Sequence, residues 1–81
     1  MAMAMEPTVG RIVHYRPQPG DPPGVLQDSP ELLPAIITRV WKDRIGSAVN
    51  LKVFCDGPGI IHMVDITAGD GHGQWQWPKR E

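Results

Sequence analysis

Val49-Asn50-Leu51-Lys52-Val53-Phe54-Cys55, then Asp56-Gly57-Pro58-Gly59, then Ile60-Ile61-His62-Met63-Val64-Asp65-Ile66: this stretch decides the fold. Its first block alternates, with Val49, Leu51, Val53 and Cys55 on one face and Asn50, Lys52 and Phe54 on the other. A two-residue period belongs to a half-buried strand, because successive side chains leave a strand on opposite sides. The Asp-Gly-Pro-Gly insert carries the residues of a tight reversal, and the block after it is again apolar and β-branched. The reading is a β-hairpin with one buried face.

Working outward, every other apolar block has strand length and is closed by proline, glycine or charge. Arg11-Ile12-Val13-His14-Tyr15 stops before Pro17, and Ala35-Ile36-Ile37-Thr38-Arg39-Val40-Trp41 runs from Pro34 to the charged turn Lys42-Asp43-Arg44. A last piece, Gln74-Trp75-Gln76-Trp77, ends at Pro78. No stretch sustains a 3.6-residue apolar period; Ser29-Pro30-Glu31-Leu32-Leu33 offers one capped helical turn that Pro34 stops. The expected fold is therefore all-β, a five-stranded SH3-like barrel, with an oligonucleotide-binding-type barrel as the alternative. One domain would span residues 8–78, between tails at 1–7 and 79–81. Residues 17–33, rich in proline, would form its long variable loop.

At 81 residues the chain has room for one modest core, so a homo-oligomer is an attractive way to complete it. The single cysteine, Cys55, sits in an apolar run and reads as a small buried hydrophobe, which gives no sign of an oxidising compartment. The amino terminus lacks the charge and apolar run of an export signal, and no segment has membrane-spanning length, so a cytoplasmic protein is expected. Eight basic residues against nine acidic ones give a formal net charge of −1. The basic stripe of a non-specific nucleic-acid binder is missing, but two or three arginines suffice to hold one small anion.

Val9-Gly10-Arg11-Ile12-Val13-His14-Tyr15, Pro34-Ala35-Ile36-Ile37-Thr38-Arg39-Val40-Trp41, Val49-Asn50-Leu51-Lys52-Val53-Phe54 and Gly73-Gln74-Trp75-Gln76-Trp77-Pro78 occur in series. That series resembles a family of small uncharacterised proteins of tailed bacteriophages and prophages. Its members close on Gly-Thr-Trp-His-Trp-Pro, where this chain has Gln74 and Gln76. The resemblance implies a phage or prophage origin and a bacterial cytoplasm, and it brings no catalytic residues.

Chemistry-bearing patterns are sparse. His14, His62 and His72 have no partner at metal-ligand spacing, and neither a nucleophile with a base nor paired carboxylates recur on one face. No catalytic site, metal or cofactor is expected. Ala68-Gly69-Asp70-Gly71-His72-Gly73 has glycines enough to form a phosphate-binding nest, but no helix or Gly-Lys-Ser follows, so a plain turn is the simpler reading.

The aromatic residues say more. Trp75 and Trp77 share a strand face, and two indoles exceed what one small barrel holds, so one should border a groove or an intermolecular contact. Phe54, between Lys52 and Asp56, is the candidate exposed apolar spot. A ligand would then meet Arg11, Tyr15, Arg39, Trp41, Asp70, His72, Trp75 and Trp77, near the long loop and the 69–73 turn. Arg11 and Arg39 are the expected charge partners, because each lies within an apolar strand. Two functions compete. One is a non-enzymatic phage accessory protein that captures a small anionic ligand, such as a nucleotide signal of host defence. The other is a protein–protein module that inhibits a host protein or serves phage assembly. A concave pocket mixing arginine with tryptophan would favour the first; a flat apolar patch would favour the second.

Overall fold

The computed structural model describes residues 6–22, 32–55 and 57–79. Five strands are present: β1 (Ile12–Tyr15), β2 (Leu33–Val40), β3 (Val49–Phe54), β4 (Ile60–Ile66) and β5 (Trp75–Gln76). They make one antiparallel sheet in the order β4-β3-β2-β1-β5. A meander of four strands followed by a fifth returning beside β1 is the order of an SH3-like barrel. The connection from β1 to β2 stands where such barrels carry their long loop; its residues 23–31, including the expected turn at Ser29, lie outside the described set. So do residues 1–5, 80 and 81 of the expected tails, and Asp56. None of the described residues is helical, and no helix is long and apolar enough to cross a membrane.

The sheet curls because its two ends are stitched together. Beyond β4, the Thr67 carbonyl accepts from Trp75 N–H at 3.0 Å and Gly69 N–H donates to the Trp75 carbonyl at 2.9 Å. The end of β4 thus meets β5 through the bridge of Ala68 with Trp75, turning the open sheet into a barrel-like shell. Inside lie Val13, Tyr15, Leu33, Ala35, Ile37, Val49, Leu51, Val53, Ile66 and Trp75, with Cys55, Ile61, Met63 and Trp77 half-buried against them. The Val49-Leu51-Val53 face is buried as its alternation requires, and β3 reverses into β4 through the glycine-rich turn, Cys55 N–H donating to the Gly59 carbonyl.

Two details depart from the sequence reading. Pro34 lies within β2 instead of opening it, which is tolerated because pairing to β3 begins only at Ala35. Asn50, expected on the solvent face, is buried, with 8% of its surface exposed. Its neighbours on both sides are irregular: β2 carries an extra residue between Ile37 and Arg39, and two residues of β4 oppose Asn50 between its Val49–Ile66 and Leu51–Met63 pairings. Paired bulges bend both flanking strands around this point and fold the asparagine side chain into the structure.

Tyr15 marks the other end of the core. Its hydroxyl donates to Asp21 Oδ2 at 2.8 Å, and the same oxygen accepts from Gln18 N–H at 2.9 Å, so a buried carboxylate pins the start of the long loop. Burial first, then the Asp21 hydrogen bond and charge, push the phenol well above its ordinary value. A raised folded-state value means the tyrosine's contribution is complete below the unfolded phenol's pKa of about 10 and is lost as pH climbs above it. Tyr15→Phe should cost about 1–3 kcal/mol in urea unfolding at neutral pH, since it leaves a buried carboxylate oxygen under-satisfied. It should also blunt the alkaline loss of stability. A variant as stable as the parent at pH 7 would show that the pair contributes nothing.

Candidate functional site

Bulges re-aim side chains, and here they gather three strands around one indole. Past the β2 bulge the register places Val40 against Val49 on the inner face, so Arg39, opposite Asn50, turns outward with Trp41. Trp41 Nε1–H donates to Asn50 Oδ1 at 2.8 Å, and Asp65 N–H donates to the same oxygen at 3.0 Å. Asp65 adopts φ 62°, a left-handed conformation that aspartate and asparagine accept more readily than most residues. Its carboxylate then reaches Arg44 at 2.8 Å. Arg44 Cζ lies 4.3 Å from the Trp41 ring centroid, and Arg39 Cζ lies 3.8 Å from it. Trp41, Asn50, Asp65 and Arg44 therefore form a closed circuit of contacts, with Arg39 stacked on the same ring.

Two grooves adjoin this cluster and share Pro7, Val40 and Lys42. One, of about 550 Å³, is lined by Trp41, Lys42, Arg44, Gly46 and Ser47, with Glu6 at its rim. The other, of about 370 Å³, runs along Thr8, Val9, Thr38 and Arg39. Both lie in the size range of small-molecule sites. Gly46 and Ser47 form a rigid corner, both at positive φ. The Gly46 carbonyl accepts from Ala68 N–H at 2.8 Å, and the Ser47 carbonyl accepts from Trp75 Nε1–H at 3.0 Å. Among the described residues Arg44 is ion-paired, while no carboxylate comes within 4.0 Å of Arg39 or Lys42. The result is a solvent-facing cationic spot beside an apolar wall, with a guanidinium over an indole ring.

The residues expected to share one site fall into three places. Arg39 and Trp41 meet as described. Arg11 lies away from them, 5.2 Å over Trp77, whose ring packs edge-on against Trp75 with centroids 5.2 Å apart. Trp75 is core, Trp77 half-buried, and Tyr15 is committed to Asp21. Arg11 precedes the Val13–Tyr15 face without a bulge, whereas Arg39 follows one, so the two arginines end on different sides of the sheet.

Asp70 and His72 are exposed in the 69–73 turn. His72 Nδ1 lies 2.9 Å from the Pro17 carbonyl, which as an acceptor requires the proton on that nitrogen. The glycines there do not form an open nest. Gln74 folds into the turn, its Oε1 accepting from Gly71 N–H at 2.9 Å and its Nε2 donating to Thr67 Oγ1 and the Ala68 carbonyl. A side chain on Gly69 would require that carboxamide to shift. Phe54 is half-buried.

Arg44, Lys42, Ser47, Asn50 and Asp65 were not among the expected site residues. The available signal was Arg39, Lys42 and Arg44 interleaved with Trp41 within six positions. Among the described residues no three His, Cys, Asp or Glu side chains group as metal ligands. Comparison with family models, with curated proteins and with solved structures gives no match.

Proposed function

We propose that this domain is a non-enzymatic binding module that captures a small anionic ligand of nucleotide type at the Trp41 cluster. The observation that carries the reading is Arg39: a guanidinium stacked 3.8 Å from an indole centroid, beside Lys42, opening on a groove. Stacking holds the planar fork in one orientation and leaves its N–H edge for a phosphate, so less ordering entropy is lost on binding. Pro7, Val9 and Val40 supply apolar wall for a base or sugar. Two grooves joined along Val40 and Lys42 suit a ligand longer than inorganic phosphate. The phage-type sequence blocks give the setting, in which a nucleotide signal of host defence is the ligand class and sequestration the mechanism.

The competing module for a host protein, or for a second copy of this chain, draws on Ile45, 94% exposed at the β2–β3 turn, and on β4 as the edge strand of the sheet. The outer sheet face is mixed: Ile12 and Ile36 share a row with Lys52 and His62, and Phe54 and Ile60 pair in the row beside it.

Native mass spectrometry and calorimetry with mononucleotides and with linear and cyclic dinucleotides should reveal one ligand per chain, with tryptophan fluorescence changed on binding. A folded protein that retains none of the panel would reject this function.

A further inference from the structure

We propose that Asp65 is a built-in competitor for the ligand's phosphate, occupying Arg44 until an anion displaces it. This rests on the binding function proposed above and concerns its regulation. The Asp65 carboxylate is 2.8 Å from Arg44 Nη1, and both side chains are about half exposed, 50% and 42%. An exposed pair of this kind is weak, so its exchange for a phosphate with greater charge is easy. Its position is nonetheless enforced: the β4 bulge, the φ of 62° and the Asp65 N–H bond to Asn50 Oδ1 fix the backbone from which the carboxylate projects. Asn50 in turn holds Trp41, and Trp41 carries both arginines.

The two guanidinium centres are no more than about 8 Å apart, since each lies within 4.3 Å of one centroid. One is masked by a carboxylate, and among the described residues no carboxylate reaches the other. An incoming anion therefore meets Arg39 and Lys42 first, and it then competes with Asp65 for the N–H donors of Arg44. Asp65 sets the affinity threshold and selects against carboxylate ligands, which gain nothing by replacing one carboxylate with another.

Asp65→Asn isolates this role, because asparagine keeps the size, tolerates the left-handed backbone and retains the N–H bond to Asn50. Binding of ADP, with succinate as the carboxylate control, is measured for the parent, Asp65→Asn, Arg44→Gln and the double variant, with thermal melts to confirm folding. Asp65→Asn should tighten ADP binding by roughly five-fold, the scale of one exposed ion pair. That gain should vanish in the Arg44→Gln background, and succinate affinity should rise by at least as much as that of ADP. Unchanged or weaker ADP binding by folded Asp65→Asn would mean that the carboxylate merely orients Arg44, and overturns this inference alone. A gain that persists without Arg44 would reduce Asp65 to a general repulsive charge and also overturns it. If neither the parent nor Asp65→Asn binds ADP, both this inference and the ligand class beneath it fall.

Discussion

Trp75→Ala is expected to lower the melting temperature by roughly 15–30 °C, or to leave no cooperative transition at all. Trp75 is the largest fully buried side chain, 1% exposed, and large-to-small changes of this kind cost about 3–5 kcal/mol. A chain of 81 residues has a total stability of roughly 4–12 kcal/mol to draw on. Here the loss extends beyond a cavity. Alanine keeps the backbone bonds to Thr67 and Gly69 across the seam, but it removes the ring that braces that seam and supports Trp77 edge-on. The indole N–H also satisfies the Ser47 carbonyl in a corner held at positive φ, so its removal should loosen the Gly46-Ser47 wall of the larger groove. Thermal melts followed by near-ultraviolet circular dichroism measure this directly. A variant melting within a few degrees of the parent would mean that the seam does not depend on the ring.

The same tryptophan shows why the fold was largely readable from the chain. Period-two alternation at 49–55, an Asp-Gly-Pro-Gly reversal and proline stops are local signals, and each maps onto one strand or turn. The barrel type followed from block lengths and from one long connection. The candidate site was only half readable, and bulges are the reason. Strict alternation places Arg39 on the face of Leu33, Ala35 and Ile37; one extra residue in β2 moves it to the other. Nothing at Thr38 announces that insertion. Asn50 was assigned to solvent by the same rule, yet its burial is what joins Trp41 to Asp65. The 69–73 turn was ambiguous for a different reason: glycines give backbone freedom, and only the fold reveals that Gln74 fills the space they leave.

Arg39→Gln combined with Arg44→Gln should weaken binding of a phosphate-bearing nucleotide by about 100-fold or more in a protein that stays folded. The magnitude follows from charge-assisted hydrogen bonds of about 1.5–3 kcal/mol each, two of which exceed two decades in affinity. Stability should fall by about 1–3 kcal/mol, because one exposed ion pair contributes about 0.2–1 kcal/mol and each of two exposed cation–π contacts about 0.5–1 kcal/mol. Glutamine keeps a polar, flexible side chain over Trp41 and so separates loss of charge from loss of cover. Arg11→Gln is the informative control, since Arg11 stacks on Trp77 and follows no bulge. The sequence pattern alone treats Arg11 and Arg39 as equivalent charges in apolar strands; the register makes only one of them part of the Trp41 cluster. Calorimetric titration of these variants and the parent at two salt concentrations decides the matter. Loss confined to the Arg39 and Arg44 variants, with a shallower salt dependence, supports the cluster as the anion site. Equal loss in Arg11→Gln would move the site to the Trp77 side of the sheet, and full retention by the double variant would remove the cluster from ligand binding.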